Sequence, residues 1–342
     1  MYAQEMKLPE GKKCAAFISV NLAAEFFWLS LDKKASEMPK TLSLGQYGMT
    51  HGLPRLLGLL DELHLKATFF VPGKTAETYP DKIREIADRG HEIACHGYEY
   101  ENFGLLDTEE QRERIGKAVK AIEAACGKKP AGFRAPIGDL MLETLDIARE
   151  YGMTYSSDLY DDDRPYFMKT NEKGDKILQI PQQWANFDLP YFAFNYRPAF
   201  PFGQGRVANY SNVLSNWKDE FTGHYNHHLC YNLQLDPQST GSPGRFAMLR
   251  EFLEFMCAHE GVWFVTGSEL VEFCKRDEGA YVSLLLRILR RPRLRFPLRF
   301  LQPLLRKRPM NIRAVFPEVH IRCCRRFGAF YQKNVFLPFS YL

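Results

Sequence analysis

The sequence lacks any hydrophobic run long enough to cross a membrane, and residues 1–13 contain no apolar core of the kind that a secretory signal peptide needs. It also lacks CxxC pairs and the cysteine spacing of a disulfide scaffold, although it has eight cysteines. Several of these lie in apolar segments, where a free thiol behaves as a small hydrophobe. These absences favour a reducing compartment, and we expect a cytoplasmic protein; export without a recognisable signal is the alternative.

Charge is distributed unevenly along a chain of otherwise ordinary globular composition. The 342 residues are 45% hydrophobic and 25% charged, with a net charge of +4. From Arg287 to the end there are fourteen Lys or Arg and one acid, so this segment carries +13 and the rest of the chain −9. Three prolines, Pro292, Pro297 and Pro303, exclude a long helix there. We expect any anionic surface to meet this basic segment; a poorly ordered extension is the alternative.

Short apolar runs alternate with helical patterns through the first 276 residues. The predicted strands are residues 14–20, 67–71, 92–95, 133–135, 153–157, 177–180, 231–235 and 262–265. Helical spacing covers residues 53–63, 79–89, 140–151, 242–259 and 268–275, and a capping-box pattern of Thr108 with Gln111 begins another helix. The chain before Gly52 and the aromatic-rich residues 181–219 are predicted as loops. This alternation indicates a parallel sheet with right-handed crossovers.

Polar residues follow almost every predicted strand: Asn21, His96, Arg134, Asp158, Asp236 and Thr266. A barrel gathers the carboxyl ends of its strands around one mouth, whereas an open sheet spreads them along a line. We therefore predict an α/β fold, a distorted (β/α) barrel with fewer than eight repeats, over residues 12–276. A basic, Arg/Pro-rich extension, residues 277–342, follows it.

Four sequence segments carry a family pattern in this order: ATFFVPG from Ala67, RGHEIACHGY from Arg89, GFRAP from Gly132 and SSDLYDDDRPY from Ser156. Together they resemble the polysaccharide deacetylases, carbohydrate esterase family 4. The subgroup looks like the cytoplasmic peptidoglycan deacetylases and the metal-independent allantoinases. The resemblance implies hydrolysis of carbon-nitrogen bonds such as the N-acetyl groups of a glycan. It also implies zinc or another divalent metal as cofactor.

Most of the family's functional positions hold other residues here. In the family, one Asp and two His hold the metal, a second Asp is the base and a later His is the acid. His96 matches the first histidine, and Tyr100 occupies the place of the second. Counting back from the tryptophan of the first motif places Asn21 at the base and Ala23 at the metal aspartate. With one surviving ligand, we expect no resident metal unless the family chemistry survives.

The remaining site predictions also rest on the resemblance. Asp236 stands at the position of the acid histidine, and Arg134 matches the arginine that orients the base. We predict catalytic positions at Asn21, Arg134 and Asp236, and substrate-binding positions at His96, Tyr100, Pro136 and Trp184. Trp184 belongs to the aromatic-rich stretch, whose rings either wall a sugar pocket or pack in the core.

Other residues could replace the lost groups. His224, His227 and His228 have a spacing that can bind metal if a turn converges them. Glu25, Glu99 and Glu101 are alternative bases, or else solvated carboxylates. Asp161, Asp162 and Asp163 resemble a family DDxPY segment, or form an acidic loop start.

Three hypotheses follow for the function. The first is a deacetylase-like hydrolase whose activity is weak or lost because its metal ligands are replaced. The second is a metal-independent amidohydrolase like the allantoinases, acting on a small amide. The third is a non-catalytic protein whose pocket binds a glycan or a protein partner. Whether the chain forms a homo-oligomer is left open by the sequence.

Overall fold

The computed structural model describes residues 5–201 and 207–276. The basic extension and the partner expected for it lie outside the described residues, so the domain boundary at residue 276 stays a prediction.

Nine strands form one curled sheet, and two more form a small hairpin. The strands are β1 (Cys14–Asn21), β2 (Thr68–Val71), β3 (Glu92–Cys95), β4 (Gly132–Phe133), β5 (Tyr155–Ser156), β6 (Tyr166–Lys169), β7 (Lys176–Gln179), β8 (Asn195–Tyr196), β9 (Ala199–Phe200), β10 (Cys230–Leu235) and β11 (Val262–Val265). The order in the large sheet is β10-β1-β2-β3-β4-β5-β7-β6, and β11 pairs with the first half of β1. The pairs are parallel except β6 with β7. The predicted distorted barrel is confirmed.

Helices connect the strands. They are α1 (Phe26–Leu31), α2 (Pro39–Tyr47), α3 (Leu53–Glu62), α4 (Gly73–Thr78), α5 (Pro80–Asp88), α6 (Thr108–Cys126), α7 (Leu142–Glu150), α8 (Leu189–Phe192), α9 (Tyr210–Asn226), α10 (Pro237–Thr240), α11 (Pro243–Cys257) and α12 (Gly267–Lys275). Every residue of β1 is buried, as expected for a parallel strand covered on both faces. Among the described helices, none has both the length and the apolarity that crossing a membrane requires.

The prediction of a loop before Gly52 was wrong. This stretch contains α1, a 3-10 helix (Lys33–Glu37), α2 and a π-helical turn (Gly48–Gly52). Pro39 occupies the first turn of α2, where its missing N–H removes no hydrogen bond. Phe27 and Trp28 of α1 are buried. Such packing stabilises helical structure in this segment even though the glycines of α2 and of the π-helical turn have low helix propensity.

Other element predictions also need correction. Residues 181–219 are not all loop, because α8 and the first part of α9 lie there, with the Asn209 side chain capping α9 through the Asn212 N–H. The N-cap of α6 is Asp107, which forms a capping box with Glu110 rather than Thr108 with Gln111. Strand β6 was not predicted. It lies at the edge of the sheet and is antiparallel to β7, so it is not part of the alternation of strands and helices on which the prediction rests.

Gly45 of α2 allows the backbone after β1 to approach the helix closely. A Cβ atom at this position would lie 2.5 Å from the Ala24 carbonyl carbon and 2.5 Å from the Glu25 nitrogen. Backbone atoms cannot rotate away as a flexible side chain can, so a larger residue must displace the segment that leads away from the end of β1.

We predict that Gly45→Ala lowers the free energy of unfolding by about 1–3 kcal/mol, measured by urea denaturation. Gly58→Ala is the matched control, because Gly58 is an exposed residue of α3 with no atom within 4 Å of the added Cβ. The control should be neutral or stabilising by about 1 kcal/mol. Equal effects of the two changes would contradict the tight approach.

Candidate functional site

Arg134, just after β4, is the centre of a buried hydrogen-bond network at the carboxyl ends of the strands. Its Nε donates to the Ser157 carbonyl at 3.0 Å, and Nη2 donates to Ser157 Oγ at 2.7 Å. Nη1 and Nη2 donate to Ser19 Oγ at 3.1 Å each, and Nη1 also donates to Asn21 Oδ1 at 2.9 Å. The guanidinium carbon lies 4.0 Å from the centre of the Phe70 ring. All five N–H donors of this arginine are therefore engaged.

None of these acceptors is a carboxylate. Asn21, at the end of β1, offers Arg134 a neutral carboxamide oxygen, and among the described residues no acid forms an ion pair with this guanidinium. Burial lowers the pKa of Arg134 to about 10, although the charge of nearby Asp158 acts in the opposite direction. A carboxamide cannot take a proton at neutral pH, so Asn21 cannot act as a general base. The structure thus places Asn21 and Arg134 in contact, but the base that the family has at this position is absent.

His96 follows β3 and is fixed by one hydrogen bond. Its Nδ1 lies 2.8 Å from the Arg134 carbonyl oxygen, which can only accept, so Nδ1 carries the proton. The other ring nitrogen, Nε2, is buried and has no hydrogen-bond partner among the described residues. Burial lowers the pKa of His96 to about 3, and the ring is neutral at physiological pH. Its geometry is that of a metal ligand oriented by a backbone carbonyl.

The positions of the other two ligands belong to an apolar cluster. Ala23 and Tyr100 are buried with Phe27, Trp28 and Leu189. The Tyr100 ring meets His96 edge to face at a centroid distance of 5.0 Å, and meets Phe27 at 5.8 Å. Burial raises the pKa of Tyr100 above its usual value of 10, so the phenol stays protonated.

The backbone at Tyr100, and at Ala24 next to Ala23, has a conformation that residues other than glycine rarely adopt. Tyr100 has φ +67° and Ala24 has φ +50°. Left-handed backbone at a bulky residue is uncommon and costs about 1–3 kcal/mol. Neither Ala24 nor Tyr100 offers a side chain that could hold a metal in exchange for this strain.

The donor set does not fit a catalytic divalent cation. Such a site requires about three protein ligands, and here His96 offers one imidazole nitrogen, while the other two positions hold a methyl group and a protonated phenol in an apolar cluster. Across residues 5–201 and 207–276, no group of three or more His, Cys, Asp or Glu side chains is arranged to hold a metal ion. The mismatch follows from the chemistry of the residues present.

Asp236 lies at the end of β10 and is buried. Its carboxylate accepts hydrogen bonds from the Gln238 backbone N–H and from Gln238 Nε2, both at 3.1 Å. Trp28 Nε1 in turn donates to Gln238 Oε1 at 2.8 Å. This hydrogen bond connects α1, which follows β1, to the segment that contains Asp236. Burial raises the pKa of Asp236 to about 7. Of the predicted catalytic residues, it is the only one that can exchange a proton near neutral pH.

Trp184 lies in a 3-10 helix (Trp184–Asn186) after β7 and is 61% exposed. It stacks with Tyr160 at a centroid distance of 5.4 Å and an interplanar angle of 13°, and with Phe187 at 6.3 Å and 26°. Tyr160 is itself 44% exposed. Phe187 forms a parallel bridge with Gln234 of β10, which attaches this stack to the rim of the barrel. We call Tyr160, Trp184 and Phe187 the aromatic stack.

Pro136 is half-buried and packs against the chain after His96. A Cβ atom on Gly97 would meet Pro136 Cγ at 2.9 Å, and Gly97 has φ +70°, which glycine adopts without strain. The structure thus shows Pro136 supporting the β3 loop.

The substitutes considered from the sequence are engaged elsewhere. His224 Nδ1 bonds the Glu220 carbonyl and His228 Nδ1 bonds the Lys13 carbonyl, so with His227 they form no metal-binding group among the described residues. Glu25 accepts from the Tyr79 hydroxyl at 2.5 Å, Glu99 pairs with Arg114, and Glu101 accepts from the Tyr98 and Glu99 N–H groups. In the acidic run, Asp162 binds Arg164, Asp161 binds the Tyr166 hydroxyl, and the Asp163 carbonyl accepts from Cys230 N–H. The acidic run is thus a hydrogen-bonded loop, and its resemblance to a family DDxPY segment stays a prediction.

Sequence reasoning missed two groups. Asp188 is fully buried beside Asp236, and both of its oxygens accept from the Asp236 N–H, at 3.0 and 2.9 Å. Phe200 of the β8–β9 hairpin meets Phe27 at 5.1 Å and so covers the apolar cluster. The signal for Asp188 was an acid directly after the Trp184 segment; nothing in the sequence pointed to Phe200.

We predict that the raised pKa of Asp236 makes stability depend on pH. Its folded pKa of about 7 exceeds the ordinary value of 3.8, so its stabilising contribution is present below about pH 4 and is lost as the pH rises to about 7. Relative to the native protein, Asp236→Asn should therefore gain roughly 2–4 kcal/mol between pH 4 and pH 8 in urea unfolding. Asp219→Asn, at an exposed position of α9, is the control. Parallel pH curves for all three proteins would refute the assignment.

Known proteins are similar to this chain in sequence and fold. The family model described as polysaccharide deacetylase matches residues 44–156. The peptidoglycan deacetylase of Helicobacter pylori is 27% identical over 292 residues, which cover 78% of this chain and 98% of that protein. A crystal structure from Mycobacterium smegmatis, assigned to the polysaccharide deacetylases, is 32% identical with a TM-score of 0.77 and covers 86% of this chain and 99% of its own.

PuuE allantoinase is also similar in structure. It is 24% identical, with a TM-score of 0.69, over 80% of this chain and 94% of that one. At this identity the likeness concerns the fold alone.

Proposed function

This chain belongs to the polysaccharide deacetylase family, and on that premise we propose that it binds an N-acetylated glycan, such as a peptidoglycan strand, with metal-dependent deacetylation weak or lost. One observation carries the loss of activity: His96 meets Tyr100 in an edge-to-face contact, and Tyr100 belongs to a buried apolar cluster. A metal lowers the pKa of its bound water to about 7 and so supplies the hydroxide that attacks an amide. This donor set does not retain such a metal.

The aromatic stack supports the glycan part of the proposal. Exposed, nearly parallel rings suit the apolar face of a pyranose, and Trp184 keeps most of its surface accessible. By contrast, Asn21, His96, Tyr100, Arg134 and Asp236 are all at most 3% exposed. A sugar chain can therefore lie on the stack at the rim while the former catalytic centre stays covered by the apolar cluster.

A metal-independent amidohydrolase is the second candidate, and Asp236 is the observation that favours it. A buried carboxyl with a pKa of about 7 can accept a proton from the attacking water and return it to the departing amine nitrogen. The water oxygen would bond to the amide carbon as the carbon-nitrogen bond breaks. This route requires Phe27 and Phe200 to move aside, because they cover the cluster next to Tyr100.

Acetate release from chitin oligosaccharides separates the candidates. We expect no release above background with or without added zinc or cobalt. Release stimulated by metal would contradict the proposal, and amide or ureide cleavage that persists in chelator would favour the second candidate.

We predict that restoring the family ligands restores metal binding. The triple variant Asn21→Asp, Ala23→Asp and Tyr100→His supplies two carboxylates and an imidazole beside His96, whose Nε2 has no described partner. It should bind about one zinc per chain by isothermal titration calorimetry. The same variant carrying His96→Ala is the control and should lose that binding. A triple variant that folds but binds no zinc would contradict our placement of these positions.

We predict that Trp184→Ala weakens the binding of N-acetylated oligosaccharides at least tenfold, because the largest ring of the stack is removed. Trp184→Phe should retain part of the affinity. Tyr196→Ala is the matched control, since Tyr196 is an aromatic residue 78% exposed outside the stack. Affinity can be measured by calorimetry with chitin oligosaccharides. An equal loss in Tyr196→Ala, or no loss in Trp184→Ala, would refute the role of the stack.

A further inference from the structure

A groove of about 600 Å³ lies between the residues that precede β1 and the helix α12. Its apolar surface comes from Pro9, Trp263 and Phe273. The two rings meet at a centroid distance of 5.2 Å and an interplanar angle of 66°, and all three residues are only half-buried. A concave apolar patch of this size with a polar rim is typical of a surface that binds another group.

The groove is at the end of the barrel opposite to Arg134. At the start of α12, the Gly267 N–H donates to Thr68 Oγ1 at 3.2 Å, and the Ser268 N–H donates to the Glu92 carboxylate at 3.2 Å. Thr68 begins β2 and Glu92 begins β3, so α12 lies at the amino ends of the strands, whereas Arg134 follows the carboxyl end of β4. The groove is therefore separate from the former catalytic centre and from the aromatic stack.

The rim of the groove is acidic. Three carboxylates, Glu10, Glu269 and Glu272, and one guanidinium, Arg276, line it, so its formal charge is −2. Glu272 pairs with Lys275 at 2.7 Å. Glu10 is exposed and forms no ion pair with any residue that the structure describes. A cation that reaches Glu10 gains a partner without breaking an existing pair, so the groove suits an apolar ligand that also carries positive charge.

The same chain carries such a segment just beyond the groove. Arg276, the last described residue, is part of the groove wall. Residues 281–290, with the sequence YVSLLLRILR, contain seven large apolar or aromatic side chains, two arginines and no acid. The five steps from Arg276 to Tyr281 span at most about 18 Å, so the segment begins within reach of the groove. Burial of its apolar side chains is favourable.

We propose that residues 281–290 bind in this groove of their own chain. Their leucine and isoleucine side chains pack on Trp263 and Phe273, and Arg287, which lies within the apolar run, pairs with Glu10. The short link to Arg276 makes the binding intramolecular, so a weak intrinsic affinity is sufficient to keep the groove filled. The bound segment covers α12 at the amino ends of the strands. The proposal rests on neither the metal site nor the aromatic stack.

The test uses the full chain labelled with 5-fluorotryptophan, together with a soluble gadolinium chelate that broadens the 19F signals of accessible indoles. The chain has four tryptophans, and Trp263→Phe assigns the signal of interest. The combined change Leu284→Ser, Leu285→Ser and Ile288→Ser should raise the paramagnetic relaxation of Trp263 by about threefold or more, because the segment no longer gains from burial. Trp184, which is 61% exposed at the other end of the barrel, is the internal reference and should not change.

A charge exchange tests the pairing of Arg287 with Glu10. Arg287→Glu alone and Glu10→Lys alone should each raise the relaxation of Trp263. The two changes together should bring it back toward the native value, because opposite charges again face each other. Arg306→Glu is the matched control, since it makes the same charge change outside residues 281–290 and should have no effect.

A native Trp263 signal that broadens as strongly as that of Trp184 would overturn the inference, and so would an unchanged Trp263 signal in the serine variant. Shielding that is lost when the protein is diluted would assign the segment to a second copy of the chain and would also overturn it. If the serine variant does not fold, the charge exchange still decides, because Glu10 is exposed. No glycan or zinc is added, so the result does not depend on the proposed function.

Discussion

A divalent cation stays in a protein only where several donor atoms replace the water that it loses, and this constraint governs the whole mouth of the barrel. His96 offers one nitrogen, oriented by the Arg134 carbonyl as a ligand would be. The Tyr100 phenol lies against it, and this phenol is buried with the Ala23 methyl group, Phe27 and Trp28. Burial of these apolar side chains stabilises the fold. Polar metal ligands in the same cluster would reduce that stabilisation, because each buried polar group needs a hydrogen-bond partner.

The scaffold around these positions is well ordered by hydrogen bonds although the metal ligands are absent. Arg134 retains five hydrogen bonds to hydroxyl, carbonyl and carboxamide groups, so the guanidinium is held without a carboxylate. Tyr100 also retains a left-handed backbone that costs energy for its side chain. Near neutral pH the buried carboxyls of Asp158 and Asp236 can exchange protons, because burial raises their pKa to about 6 and about 7. The accessible aromatic surface at the rim belongs to the aromatic stack.

Much of the fold was predictable from the sequence because parallel strands buried on both faces leave continuous apolar runs. The run at Cys14 and the Gly90 boundary placed β1 and β3 correctly. The chain before Gly52 was not predictable in this way. Its helices depend on Phe27 and Trp28 packing under a hairpin more than 160 residues later, and local propensity gives no sign of that contact.

The site was predictable in part. Counting positions from the family motifs brought Asn21, His96, Tyr100 and Arg134 to one place, which the structure also does. It could not show that these residues are buried, or that Asp188 lies against Asp236, because both facts arise from tertiary packing. Exposure of Trp184 likewise depends on how residues 181–188 leave the sheet.

The zinc dissociation constant of the unmodified protein, measured by competition with a chromophoric chelator, tests the central claim most directly. We predict no stoichiometric binding that His96→Ala abolishes, and a dissociation constant weaker than about 0.1 mM, since one imidazole cannot retain the ion. Binding of one zinc per chain at nanomolar affinity, lost in His96→Ala, would contradict the account.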